Sequence, residues 1–354
     1  MQYADKINEI AAEQLSRASI AEYANIVGPY HYAERELFFL DLSSKSPTGT
    51  FKDWLACVTI AYCLQHGITE FVTQTSGNTG NALVRYAEPH GIKVHVFYPK
   101  QSRYKIQPNV ANSKYSEFIE LDKTELELKE FTAKYAEQKN LAWLPKFEHQ
   151  IEANKIRAYY LNDWSKKSGI SFDWHVQSLS SAYGVFGFYR GLAEIHQSEK
   201  LVSYPKLLGV HQAAVAPYYD YLQSELSQSD SLQDSILEPT LFRSRPPENL
   251  LQELKEICDS HGGTVTKVDH QCFNQYLKLA QEIFLACDLE PKLSLVNAGY
   301  SEKASIIALI GALKKIDQGL IPNNSKVLIV ATGGLGVIPT QEFCPKPTAE
   351  IQFV

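Results

Sequence analysis

The sequence predicts a doubly wound α/β protein of two lobes. Three observations carry this reading. Short apolar runs of strand length alternate with amphipathic stretches of helix length over most of the chain. At 354 residues the chain is long for one hydrophobic core and suits two. Polar loops rich in Gly, Ser, Thr and Asn follow several of the runs, where open α/β sheets bind their ligands.

The elements follow in order. "MQYADKINEIAAEQLSRAS" carries Asp5, Lys6, Glu9 and Glu13 where a signal peptide needs an apolar block, and it predicts an amphipathic helix. "LFFLDL" at 37–42 predicts a strand, and a Ser/Pro/Thr/Gly turn leads into a helix over 51–66. "ITEFVTQTS" reads as strand, and "GNTGNALVRYAEPHG" as a Gly-rich turn and a helix that Pro89 and Gly91 end. Strands are expected at 92–99 and 115–122, then a charged helix over 123–140 with a solvated face. The alternation resumes with strands at 173–180, 205–212 and 325–334 and helices from about Val185 to His196 and over 301–316. A break around 145–160 is the expected lobe boundary, and residues 222–250, rich in Ser, Gln and Pro, read as a surface excursion.

Composition narrows the function. With 44% apolar and 21% charged residues the chain is an ordinary globular protein. Its net charge of −6 is spread along the chain, which argues against a nucleic-acid surface but leaves small phosphorylated molecules open. The six cysteines form no C-x-x-C pair and no His pair has zinc spacing, so no metal site is expected and the thiols read as reduced. No apolar run reaches the about 20 residues of a membrane span. A soluble, cytoplasmic protein is expected.

No P-loop, no G-x-G-x-x-G and no G-x-S-x-G elbow occurs; "TGGLGV" at 332–337 has the wrong spacing. Three polar loops remain. The first holds Lys52 at a helix start, where the dipole repels an ammonium. It is either a snorkelling surface lysine, the commoner case, or an amine desolvated by Phe51 and Trp54 and so made nucleophilic. The second, "TSGNTGNA" from Thr75 to Ala82, is either a capped tight turn or a cradle of backbone N–H groups for a carboxylate or phosphate. The third, "SLSSAYG" from Ser178 to Gly184, offers three hydroxyls at a helix start and allows the same two readings.

Taken in sequence, "SPTGTFKD", "TSGNTGNALVRYA", the serine loop, "PKLLGVHQAAVAP", "GYSEKAS" and "VATGGLG" resemble the pyridoxal-phosphate enzymes of the tryptophan synthase β fold, and among them the threonine synthases. The resemblance spans about residues 36 to 338. It implies two open-sheet lobes with pyridoxal 5′-phosphate in the cleft. Residues 1–35 would be a helical segment on the larger lobe, 36–155 a smaller, mobile lobe and 156–354 the larger lobe. It implies that Lys52 holds the cofactor as a Schiff base and moves the substrate Cα proton, and that Asn78 hydrogen-bonds the cofactor 3′-oxygen. Thr75, Ser76, Gly77, Asn78 and Thr79 would clasp the substrate carboxylate. Ser178, Ser180, Ser181, Ala182, Tyr183 and Gly184 would take the phosphate, Thr332 the pyridine nitrogen, and Glu302 would lie near the ring. A hydroxyl at that nitrogen makes the ring a milder electron sink than a carboxylate does, which suits elimination and replacement more than transamination.

The resemblance further implies a homodimer acting on a small amino acid by β- or γ-elimination or replacement. Two other readings stand beside it: β-replacement on an activated serine, as in cysteine or diaminopropionate synthases, and a non-catalytic binding protein that keeps the fold. The departures from the family pattern motivate the last. Tyr183 and three serines occupy a phosphate loop that is usually richer in glycine, and Asp41 and Ser43 stand where Lys and Glu are common. Trp54 follows the Lys-Asp pair, where it either narrows the pocket or packs the helix. His211, Tyr300 and Cys57 are read as structural.

Overall fold

Strands built from unbroken Val, Ile, Leu and Phe runs need cover on both faces, which parallel sheets flanked by helices provide. The computed structural model describes residues 3–198, 203–223, 236–243, 245–291 and 302–335 and arranges ten strands among them in two sheets. These are β1 (Asn25–Tyr32), β2 (Arg35–Asp41), β3 (Glu70–Gln74), β4 (Lys93–Pro99), β5 (Ser116–Leu121), β6 (Ala142–Trp143), β7 (Trp174–Ser178), β8 (Lys206–Gln212), β9 (Thr264–Val268) and β10 (Lys326–Ala331). The larger sheet has the order β1-β2-β10-β7-β8-β9 and is parallel except for the β1–β2 pair. The smaller, β5-β4-β3-β6, is parallel throughout.

The helices are α1 (Ala12–Ala18), α2 (Lys52–His66), α3 (Asn78–Ala87), α4 (Pro108–Ala111), α5 (Glu125–Lys139), α6 (Phe147–Ser168), α7 (Tyr183–Ser198), α8 (Pro217–Leu222), α9 (Glu248–His261), α10 (His270–Ala286) and α11 (Ala304–Asp317). Each sheet is sandwiched. On the smaller one, α2 and α3 cover one face and α5 the other. On the larger, α10 and α11 lie on one face and α6, α7 and α9 on the other. The doubly wound α/β architecture in two lobes is thus as expected. Among the described residues no helix is long and apolar enough to cross a membrane.

Three boundaries differ from the expected ones. The break at 145–160 is in fact the 22-residue helix α6, whose Ala153 and Ile156 join the smaller lobe's core while Ile151, Ala158 and Leu161 join the larger lobe's. A helix with apolar side chains on two sides can serve two cores, and its Lys, Glu and Asn content hid that. Residues 25–41, expected as the end of a helical segment and the start of the smaller lobe, form β1 and β2 of the larger sheet. The helix before them packs its Leu15 and Ala18 against α2 in the smaller lobe's core. Finally, residues 236–243 of the expected surface excursion bury Leu237, Glu238 and Leu241. Residues 224–235 and Tyr300 lie outside the described residues.

Helix α7 lies close against α6 because Gly187 and Gly191 fall one turn apart on the contact face. A Cβ at 187 would meet the Ile151 carbonyl oxygen and Asn154 Cβ at 2.5 Å, and one at 191 would meet Ala158 Cβ at 2.8 Å. Gly187→Ala is therefore expected to lower stability by about 1–3 kcal/mol through overpacking, read as a lower urea midpoint at unchanged slope.

Candidate active site

Lys52 owes its place to the loop that precedes it. The Asp41 carboxylate accepts the Ser43 and Ser44 N–H groups at 2.9 Å and turns the chain out of β2. Thr48 donates its N–H and hydroxyl to Asp53, at 3.0 and 2.7 Å, which ties the preceding loop to the first turn of α2. The Phe51 N–H donates to the Thr332 carbonyl at 2.9 Å, and Thr50 bridges Gly333, so the lysine loop is pinned to the end of β10. Lys52 is the first residue of α2, and its Nζ stands 4.7 Å from the Phe51 ring centroid. No carboxylate pairs with it among the described residues. Desolvation first, then repulsion by the Arg157 guanidinium, lower its pKa to about 8 against the opposing pull of Glu302. The desolvated-amine reading of the sequence is the one the geometry supports. Trp54 instead packs into the smaller lobe's core, its indole donating to the Tyr23 carbonyl at 3.3 Å.

The second loop is held from within. Thr75 Oγ1 accepts the N–H groups of Gly77 and Gly80, at 2.9 and 3.1 Å, so that hydroxyl is committed to the turn. Gly77 has φ +125°, and a Cβ there would lie 2.3 Å from Lys105 Cβ, so only glycine fits. Asn78 then opens α3, and its amide donates to Glu302 Oε2 at 2.7 Å across the cleft. Thr75, Ser76, Asn78 and Thr79 line one cavity with Lys52; Gly77 faces Lys105 and does not.

The serine loop forms the opposite wall. Ala182 takes a left-handed φ of +58°, a conformation glycine usually supplies, and α7 starts at Tyr183. Ser178, Ser180, Ser181, Ala182, Tyr183 and Gly184 all line the cavity, as do Glu302 and Thr332. The Ser178 hydroxyl is buried without a hydrogen-bond partner among the described residues. A Cβ at Gly184 would strike Gln177 Nε2 at 2.3 Å, so the loop fits tightly over what lies behind it. The cavity encloses about 740 Å³ between the lobes.

Several charged residues at the cleft escaped the sequence reading. Lys105, fully buried, sets its ammonium 3.0 Å from Glu238 Oε1 and 3.7 Å from Glu302 Oε2. Burial pushes the Glu238 carboxyl up, but Lys105 and hydrogen bonds from Thr240 and Lys303 outweigh it and hold it below the usual range. At the cavity mouth Arg243 Nη1 pairs with Glu125 of α5, again lobe to lobe. Arg157 on α6 donates to Gln177 Oε1 at 3.1 Å and to the Gly184 carbonyl. Its place on the buried stripe beside Ile156 and Ala158 was the one available signal in the sequence. His211 is buried against Tyr218, its rings stacked at 5.7 Å, and burial pushes its pKa down to about 3.

An amine of lowered pKa in a cleft between two doubly wound lobes, walled by two helix N-termini, defines an α/β enzyme equipped for carbonyl chemistry with an anionic ligand. The chain belongs to the pyridoxal-phosphate dependent enzyme family, whose model matches residues 29–333. Pyridoxal 5′-phosphate is the cofactor of that family, and the partnerless amine, the orphan Ser178 hydroxyl and the helix N-terminus at Tyr183 fit its aldehyde and phosphate. The threonine synthase of Mycobacterium bovis is 24% identical over 298 residues, covering 83% of this chain and 75% of that protein. That of Methanosarcina acetivorans is 24% identical over 316 residues, covering 86% and 72%. Among solved structures, maize serine racemase superposes with a TM-score of 0.65 at 16% identity, covering 91% of this chain and 94% of that one. The diaminopropionate ammonia lyase of Escherichia coli gives 0.66 at 13%, covering 91% and 87%. At such identities the likeness to solved structures concerns the fold.

With the Lys52 amine lowered to about 8, its neutral, reactive fraction grows as pH rises through 8, while ordinary lysines wait until about 10.4. Competitive acetylation of the apoprotein across a pH series, read by peptide mass spectrometry, is expected to place the Lys52 midpoint near 8, well below the ordinary lysine range.

Proposed function

We propose that the chain is a pyridoxal-phosphate enzyme of threonine synthase type that eliminates or replaces a group at Cβ or Cγ of an amino acid. The observation that carries it is the meeting, in one cavity, of a depressed lysine amine, the Asn78 loop, the serine loop and the Thr332 hydroxyl. In this reading Lys52 holds the cofactor, Asn78 its ring oxygen, Ser178 to Gly184 its phosphate and Thr332 its pyridine nitrogen. When bound, the cofactor supplies an aldehyde that condenses with amines and a ring that stabilises negative charge at Cα.

The chain's own residues do the rest. The Lys52 amine, neutral to a useful degree at pH 7–8, removes the Cα proton and returns it. Ser76, Thr79 and the N-terminus of α3 receive the substrate carboxylate, and Thr75 keeps that loop in shape. Asn78 gives up its bond to Glu302 when it turns to the cofactor. The hydroxyl of Thr332, unlike an acid, leaves the ring nitrogen unprotonated, which favours loss of a leaving group. A cytoplasmic homodimer with a mobile smaller lobe belongs to the same proposal, as does a small amino-acid substrate.

Borohydride treatment of the cofactor-loaded protein is expected to fix a pyridoxyl mass on the peptide containing Lys52, and Lys52→Ala to abolish it. An adduct elsewhere, or none, defeats the assignment. Asn78→Ala is expected to weaken cofactor binding about tenfold, the worth of one hydrogen bond, by absorbance titration. Absorbance scans with O-phosphohomoserine, O-phosphoserine, O-acetylserine, serine and threonine then separate the chemistries. A response to phosphohomoserine supports the threonine synthase type. A response confined to the activated serines replaces it with β-replacement, and silence with all five replaces it with a binding protein.

A further inference from the structure

Arg157 sits on α6 with 2% of its surface exposed. Its Nη1 donates to Gln177 Oε1 at 3.1 Å, its Nη2 donates to the Gly184 carbonyl, and its Nε is buried without a partner among the described residues. No carboxylate among the described residues pairs with it. Its other neighbours are the Phe51 ring, 5.8 Å from the guanidinium carbon, the second cation Lys52 and the buried, neutral His175. Buried charges in folded proteins are paired or bound to something of opposite sign, because stripping water from an uncompensated ion is costly. Here the chain retains such an ion beside a cleft. The other cleft cations are served already: buried Lys105 has Glu238, and Arg243 at the mouth has Glu125.

Both acceptors of Arg157 belong to the wall of the serine loop. Gln177 and Gly184 line the cavity, and Arg157 stands directly behind them. We propose that Arg157 is the built-in counter-charge of the cofactor phosphate, a positioning residue that fixes Gly184 and Gln177 and supplies positive potential through them. A loop with serine and tyrosine side chains in place of glycines lets a phosphate approach its backbone N–H groups less closely, and a fixed cation behind it makes up the attraction. A guanidinium serves better than an ammonium, since its planar fork holds two acceptors at once and keeps its charge when buried.

This inference rests on the phosphate being seated at the serine loop, and one set of titrations separates the two claims. Full-length apoprotein is titrated with pyridoxal 5′-phosphate and with pyridoxal, which lacks the phosphate, for wild type, Arg157→Gln and Arg157→Lys. Wild type is expected to favour the phosphorylated form strongly. Arg157→Gln is expected to lose about tenfold of that preference, with pyridoxal affinity nearly unchanged, and Arg157→Lys to restore most of it. A merely structural role would weaken both ligands together and leave the preference intact, which overturns the proposal. Equal binding of the two ligands by wild type overturns the phosphate seat as well. Should Arg157→Gln not fold, the wild-type apoprotein gives the second reading. Inorganic phosphate is expected to raise its melting temperature at pH 7 beyond chloride of equal ionic strength, and no difference between the salts overturns the proposal.

Discussion

Two cations, Lys52 and Arg157, stand together at a poorly solvated cleft without an acid of their own among the described residues, and much of the site is arranged around that constraint. The nearest sequence neighbour, Asp53, gives no relief. Its carboxylate turns back to cap Thr48, and burial raises its pKa to about 7. Glu302 reaches Lys52 only as a distant attraction, since its oxygen receives Asn78 and lies closer to Lys105. Glu238 is spent on Lys105, Thr240 and Lys303. Among the described residues the acids of the inner cleft thus fall one short of its cations, and an anionic ligand would complete the set.

The same charges join the lobes. Asn78 and Lys105 come from the smaller lobe, Glu302 and Glu238 from the larger, and Arg243 meets Glu125 across the mouth. The Thr50–Gly333 bridge and the Phe51–Thr332 hydrogen bond add backbone ties between the lysine loop and the end of β10. Such charged ties are strong only where water is excluded. A ligand in the cleft would therefore meet some of the same side chains that tie the lobes together, Asn78 and Glu302 among them.

Much of this was legible in the sequence, and the reasons are physical. Strand period, Gly-Asn turns and serine loops are local signals, so β3, β4, β5, β7, β8 and β10 and the three site loops fall where the residues place them. The missed parts depend on partners distant in the chain. Lys105 looks like any loop lysine until Glu238 closes over it, and Glu238 lies in a stretch whose Ser, Gln and Pro suggest solvent. Helix α6 hides its double-sided apolar contact behind polar composition, and β1 is broken by Gly28-Pro29. Arg157 shows only as a charge on an apolar stripe. A buried charge is defined by what compensates it, and composition carries no record of that.

Lys52 and Asp53 also show why such a site favours holding its ligand. Burial pushes both toward neutrality, the lysine down to about 8 and the acid up to about 7. For Asp53 the folded state binds a proton more readily than the unfolded chain, so its contribution to stability is full at low pH and is lost as pH rises through 7. For Lys52 the folded state binds its proton less readily, so stability recovers only as pH rises from 8 towards the unfolded value. Between about 7 and 8 both groups are in their unfavourable charged forms. A ligand that condensed with the Lys52 amine and left it neutral would remove the lysine's half of that burden.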